Sequence, residues 1–190
     1  MKQLTTTLFH RYSLEGTYFI TAATYAPMGS QARPHHFSTP ERLSTLQTQM
    51  IEVTRKYNWA LKAWAIMSNH YHLVMENQDQ PNTLPIVMQK IQGVSSRYVN
   101  HLDNTPGRKV WYQYWDTLIS YRNSYFTRLK YVMENPVKHG LVRTAKDYKW
   151  CSAWWFEHFA SKEYRKLVLG YKTDKANIYD PFEPPIIEDA

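Results

Sequence analysis

Two histidines one residue apart, His70 and His72, and a tyrosine four residues ahead of an asparagine, Tyr131 and Asn135, have the types and spacing that allow chemistry. Alternate residues of a β-strand share a face, so His70 and His72 project together with Cα atoms about 7 Å apart. Imidazoles at that separation can converge on one metal ion. Tyr71, Leu73 and Met75 then point to the opposite face. Residues i and i+4 of a helix are neighbours, which sets Tyr131 beside Asn135. A phenol can act as a nucleophile that forms a covalent intermediate. An amide oxygen is a hard metal ligand. Each pair also has a plain structural reading: surface histidines on a strand, and an amphipathic tyrosine ahead of an asparagine that ends a helix. Tyr121 and Tyr125 are rival tyrosines, one in strand-like sequence and the other on an apolar stripe.

The elements that must position these groups can be read from periodicity. Gly16 to Tyr25 is rich in β-branched and aromatic residues and reads as a strand. Ser38-Thr-Pro-Glu41 resembles a capping box that opens a helix, followed by Leu43, Leu46, Met50, Val53 and Tyr57 on one face. Trp59 to Met67 and His70 to Glu76 form a hairpin about Ser68-Asn69. A second helix aligns Leu84, Val87, Ile91, Val94 and Tyr98. Val110 to Tyr121 is a fourth strand. A third helix runs from an Asn123-Ser124 cap to about Glu134, with Pro136 stopping it. Its apolar stripe is Tyr125, Phe126, Leu129, Val132 and Met133, and Tyr131 and Asn135 fall on the other side. The fold class is α+β: a ferredoxin-like split βαβ with an antiparallel sheet and helices on one face, plus a C-terminal helical extension. The expected division is residues 1–145 as the catalytic domain, 146–178 as a Trp-rich helical extension packed on it, and 179–190 as an acidic mobile tail.

Composition narrows the partners. The chain has 190 residues, 23 Lys and Arg against 16 Asp and Glu, and a formal charge of +7. Its 15 Tyr, 7 Trp and 7 Phe supply ring faces. Basic charge suits a phosphate backbone, and exposed rings can stack on unpaired bases. The single cysteine, Cys151, excludes an intramolecular disulfide and fits a reducing cytoplasm. Beside Trp150 and Trp154 it reads as a packed small residue. No run reaches membrane-spanning length, which points to a cytoplasmic protein with no membrane partner.

His70-Tyr71-His72, followed by Tyr131-Val-Met-Glu-Asn135-Pro-Val-Lys-His-Gly140, resembles the HUH single-tyrosine transposases of small bacterial insertion sequences. The Asn-Pro-Val-Lys-His-Gly stretch is most similar to the REP-associated tyrosine transposase branch. The resemblance covers roughly residues 12 to 155, and Tyr71 stands where an aliphatic residue is more usual. It implies a nucleoid-associated, metal-dependent nuclease and strand transferase acting on single-stranded DNA hairpins. His70, His72 and Asn135 would hold Mg²⁺ or Mn²⁺, and Tyr131 would be the nucleophile. The third helix must then cross the histidine strand, within a monomer or from the partner of a homodimer. Arg97, Arg108, Lys109, Arg122, Arg128, Lys130, Lys138 and Arg143 are the candidate DNA contacts, and the acidic tail could mimic DNA and restrain the site. Two other readings stand beside this one. The first is a hairpin-binding module that does not need cleavage. The second is a zinc hydrolase, which ranks low because no Asp, Glu or third His sits at a recognisable spacing from the pair.

Overall fold

A computed structural model describes residues 16–184 except 29, 31, 32, 175, 177 and 179. The stretch before Gly16, Tyr179 and the end of the tail lie outside the described residues. The elements are β1 (Thr17–Thr24), α1 (Pro40–Lys56), β2 (Ala60–Ile66), β3 (His70–Glu76), α2 (Leu84–Leu102), β4 (Trp111–Leu118), α3 (Arg122–Lys138), α4 (Ala153–Phe159) and α5 (Lys162–Leu169). The four strands form one antiparallel sheet in the order β2-β3-β1-β4. The split βαβ order expected from periodicity is therefore the order observed.

β3 is central and buried on both faces. On one face Ile20, Leu73 and Met75 join Leu43, Leu46 and Met50 of α1 and Val87, Met88 and Ile91 of α2 in the main core. Trp111 ties this layer together, since its ring stacks on Phe37 at 5.0 Å and its indole N–H donates to Ser95 Oγ at 2.9 Å. The other face carries His70 and His72. Antiparallel register sets Ala23 opposite His70, and Thr21 and Ala65 opposite His72. Directly opposed residues share a face, so small neighbours leave the two imidazoles room.

Helix α3 is not on the face covered by α1 and α2. It crosses the histidine face, over β2 and β3, within the same chain. Three helix ends differ from the expectation. Thr39, not Ser38, caps α1, accepting from the Arg42 N–H at 3.3 Å, and α3 starts at Arg122 with Tyr121 as its cap, ahead of the expected Asn123-Ser124 cap. More consequential, Pro136 does not stop α3, which continues to Lys138. A proline inside a helix deprives the carbonyl four residues back of its donor. Here the Cys151 thiol lies 4.0 Å from the Val132 oxygen and 3.5 Å from the Met133 oxygen. Gly140, at φ +70°, ends the helix instead. The Leu141 N–H donates to Pro136 O and the Gly140 N–H to Val137 O, both at 2.9 Å, completing a Schellman motif. The extra turn carries Lys138 and His139 to the site.

The C-terminal extension is stitched to the outer edge of β2. The Ile66 N–H donates to Trp150 O at 3.0 Å, and the Ser152 N–H to Trp64 O at 2.9 Å. Cys151 is buried there, and burial pushes its thiol up to about 12, as a packed residue and not a nucleophile. The opposite edge, β4, is mostly exposed.

Candidate active site

His70 and His72 are fully buried, and each is oriented through its Nδ1. His72 Nδ1 lies 2.9 Å from Thr21 Oγ1, and His70 Nδ1 lies 2.8 Å from Asn69 Oδ1. The Asn69 oxygen can only accept, which fixes for His70 the tautomer that leaves the Nε2 lone pair free, and the Thr21 hydroxyl can accept from His72 in the same way. Both Nε2 atoms are buried and lack a hydrogen-bond partner. Burial lowers the pKa of both rings, His70 well below its ordinary value, so they are neutral near pH 7. Two neutral, orphaned imidazole nitrogens on one face are a donor set waiting for a cation.

Tyr131 and Asn135 stand over this pair. Sequence periodicity placed Tyr131 off the core stripe, yet it is only 6% exposed and Asn135 is 0% exposed. The reason is that α3 has two buried sides. Phe126 packs on Tyr164 and Tyr171 of the C-terminal extension, whereas the Tyr131 ring meets His72 at 5.5 Å and Phe19 at 6.3 Å. The nucleophile candidate therefore faces the sheet, against a ligand candidate. Tyr121 is 76% exposed and Tyr125 packs on Phe126.

Asp180 was absent from the sequence reading as a site residue. It enters from the tail, and its side chain is fully buried among these groups. One carboxylate oxygen lies 3.5 Å from His70 Nε2 and the other 3.4 Å from His72 Nε2. These contacts are not ion pairs, because burial keeps both rings neutral. Asn135 Nδ2 donates to Asp180 at 2.8 Å, Lys138 Nζ at 3.0 Å, and His139 Nε2 lies at 3.1 Å. The Tyr131 hydroxyl donates to the same oxygen. Burial by itself would raise the Asp180 pKa, but the hydrogen bonds it accepts, His139 foremost, hold it far below the carboxylate range. Burial, reinforced by the Asp180 carboxylate, pushes the Tyr131 phenol well above its ordinary value. Candidate ligand atoms of His70, His72 and Asp180 lie within 4.8 Å of one another. The carboxylate missing from the zinc argument is thus present, brought in by the tail rather than by local spacing. Asn135 Oδ1 is also buried without a partner, and a half-turn of the amide exchanges it with Nδ2.

The basic candidates separate by what they touch. Lys138 belongs to the site, with Nζ 3.1 Å from the Tyr131 oxygen. Arg128 lies over the Phe19 ring at 5.6 Å, beside the site. Lys130 donates to the Leu169 and Tyr171 carbonyls, and Arg108 pairs with Asp103 and Asn100, so both serve the fold. Lys109 sits over the Tyr25 ring at 4.2 Å, and Arg122 lies 5.4 Å from the Phe126 centroid. Arg97 and Arg143 are exposed. Among the described residues no helix is long and apolar enough to cross a membrane.

A buried histidine pair and a tyrosine helix meeting over one antiparallel sheet define the class of the tyrosine transposases. The chain matches the family model described as "Transposase IS200 like" over residues 29–135, more than half its length, and it belongs to that family. The matched segment contains His70, His72, Tyr131 and Asn135, and Asp180 lies beyond it. A solved REP-associated tyrosine transposase bound to a REP hairpin is 20% identical with a TM-score of 0.55, covering 93% of this chain and 96% of that one. A protein described as a candidate transposase from Deinococcus radiodurans R1 is 17% identical with a TM-score of 0.43, over 63% of this chain and 88% of its own. The first likeness is one of fold. No curated protein matches the chain.

The buried histidines make stability depend on pH. Their folded-state pKa values lie below the unfolded value of 6.5. As pH falls through that value the unfolded chain takes up protons first, so stability is full above it and declines below. His36, held at about 4 chiefly by burial, adds to the effect. The melting temperature should fall steadily from about pH 7.5 to about 5.5, as checked by scanning calorimetry. A flat profile would mean that folding leaves the histidine pKa values unchanged, and a rise toward low pH that the rings are protonated in the fold.

Proposed function

We propose that the protein is a metal-dependent single-stranded DNA endonuclease and strand transferase that cuts hairpin DNA through a 5′-phosphotyrosine. One observation carries the reading: the Tyr131 hydroxyl, two orphaned imidazole nitrogens and the Asn135 amide all face one buried point. His70, His72 and Asn135 would hold the ion, with the Asn135 amide turned to present its oxygen. Bound Mg²⁺ or Mn²⁺ would polarise the scissile phosphate and offset the charge that builds on it. Tyr131 Oη gives its proton to solvent and attacks phosphorus, the bond from phosphorus to the 3′ oxygen breaks, and that oxygen takes a proton from solvent and leaves as a 3′-OH. Lys138 Nζ, beside the phenol oxygen, stabilises the negative charge it must carry. The phosphotyrosine conserves the phosphodiester bond energy, so a second 3′-OH can reseal the strand. The site is assembled in cis, which favours a monomer as the active unit.

Hairpin DNA as the partner is supported by the family and by the positive charge of +7. Cleavage of a labelled hairpin oligonucleotide with single-stranded flanks tests the reading. Cutting is expected with Mg²⁺ or Mn²⁺ and should stop on chelation. Hairpin binding without cutting under any of these ions would instead make the protein a binding module.

Asp180 restrains this site. Its carboxylate is an anion on the groups that would otherwise meet a phosphate, and it keeps the neighbouring phenol protonated. Removing residues 179–190, or Asp180→Ala alone, is expected to raise the single-turnover cleavage rate by at least about tenfold, since each 1.36 kcal/mol is a factor of ten. A fall in rate with loss of bound metal would contradict this and make Asp180 a ligand.

A further inference from the structure

A cleft of about 290 Å³ opens beside the site on the same sheet face, at the small end of the range for ligand pockets. Its floor is Phe19 and Thr21, and Trp115, Arg33 and Arg128 border it. Phe19 links cleft to chemistry, because its ring stacks on His72 at 5.6 Å and also meets Tyr131. The register sets Trp115 opposite Thr21, whose other neighbour is His72. The cleft is thus one ring away from the proposed nucleophile and metal ligand.

We infer that this cleft is a subsite for one unpaired nucleobase of the single-stranded segment next to the scissile phosphate. Four observations carry it. Trp115 is 41% exposed on an edge strand, and its ring meets the Tyr112 ring at 5.7 Å, so it has an aromatic backing and an open side. Such a ring stacks on a base of any sequence. Arg128 Nε is buried without an acceptor, and a base edge or a phosphate oxygen supplies one. Arg33 is anchored by donating to Thr24 O, which presents its guanidinium to the cleft.

The fourth observation is a stand-in already in place. Two residues after Asp180, the Phe182 ring lies buried at the cleft, 5.2 Å from the Arg33 guanidinium and 4.8 Å from the His70 ring. The tail therefore sets a carboxylate on the groups proposed to bind phosphate and a flat ring beside them under an arginine. Both groups lie against His70, so a negative charge and a flat ring occupy adjacent places in the site, as the phosphate and base of a nucleotide would. The occupant is an unpaired base, because a base inside a duplex has both faces covered by its stacked neighbours and offers none to Trp115.

This inference rests on the nuclease reading, and the test separates the two. Hairpin oligonucleotides carrying an abasic site at each flanking position in turn are bound to the full chain with chelator present, and affinity is read by fluorescence anisotropy. One position should cost about tenfold or more in affinity, as expected for one stacked base. That penalty should vanish in Trp115→Ala and persist in Trp115→Phe, and Arg33→Ala should reduce it. A penalty that survives Trp115→Ala unchanged, or no sensitive position in either flank, would overturn the subsite. Cleavage is scored separately with Mn²⁺. Coupling without cleavage leaves the subsite standing and removes the nuclease, whereas cleavage without coupling does the reverse.

Discussion

Tyr131→Phe should leave hairpin affinity within about twofold of wild type and reduce strand cleavage by on the order of 10⁴-fold or more, as loss of a nucleophile does elsewhere. The substitution removes one oxygen. The ring keeps its contacts with His72 and Phe19, which are ring contacts and need no hydroxyl. Among the described residues the lost oxygen is hydrogen-bonded to groups of the site, Asp180 and Lys138. The fold should therefore tolerate the change, and binding measured on the same sample separates lost chemistry from lost structure. Residual cleavage near the wild-type rate would mean that another group attacks the phosphate.

His72→Ala should reduce metal-dependent cleavage by on the order of 10³-fold, the equivalent of several kcal/mol of charge stabilisation. His72 is oriented by Thr21, stacks on Phe19 and faces Tyr131. It thus supplies a ligand and also holds the position of the nucleophile. His72→Gln keeps an acceptor and most of the volume, and should recover part of the metal binding measured by calorimetry. Equal metal affinity in wild type and both variants would exclude His72 as a ligand.

Much of this site was legible in the sequence because it obeys local periodicity. Strand alternation alone puts His70 and His72 on one face, and the i to i+4 relation alone pairs Tyr131 with Asn135. What failed was the helical wheel's account of Tyr131. A wheel recognises one apolar stripe, whereas α3 is clasped between the sheet and the C-terminal extension and buries both sides. Pro136 was misjudged for a related reason. The carbonyl it strips of a donor, Val132 O, lies 4.0 Å from the Cys151 thiol, which a local rule cannot foresee. Asp180 was the largest omission. It lies in a segment without periodicity, and its position depends on the tail's return across the sheet. The one signal available was an acidic residue set among aromatics in Tyr179-Asp-Pro-Phe182. The approach of His139 to the site follows from Gly140, whose left-handed conformation closes the helix just after it.

The most direct test of the account is to identify the residue that carries the DNA. The full chain is incubated with single-stranded hairpin DNA and Mn²⁺, denatured and digested with trypsin, and the nucleotide-bearing peptide is sequenced by mass spectrometry. Trypsin cuts after Lys130 and Lys138, and the peptide between them contains Tyr131 as its sole tyrosine. The account predicts the adduct on that peptide, through a 5′-phosphate. An adduct on the peptides carrying Tyr121 or Tyr125, or cleavage without any covalent intermediate, would contradict it.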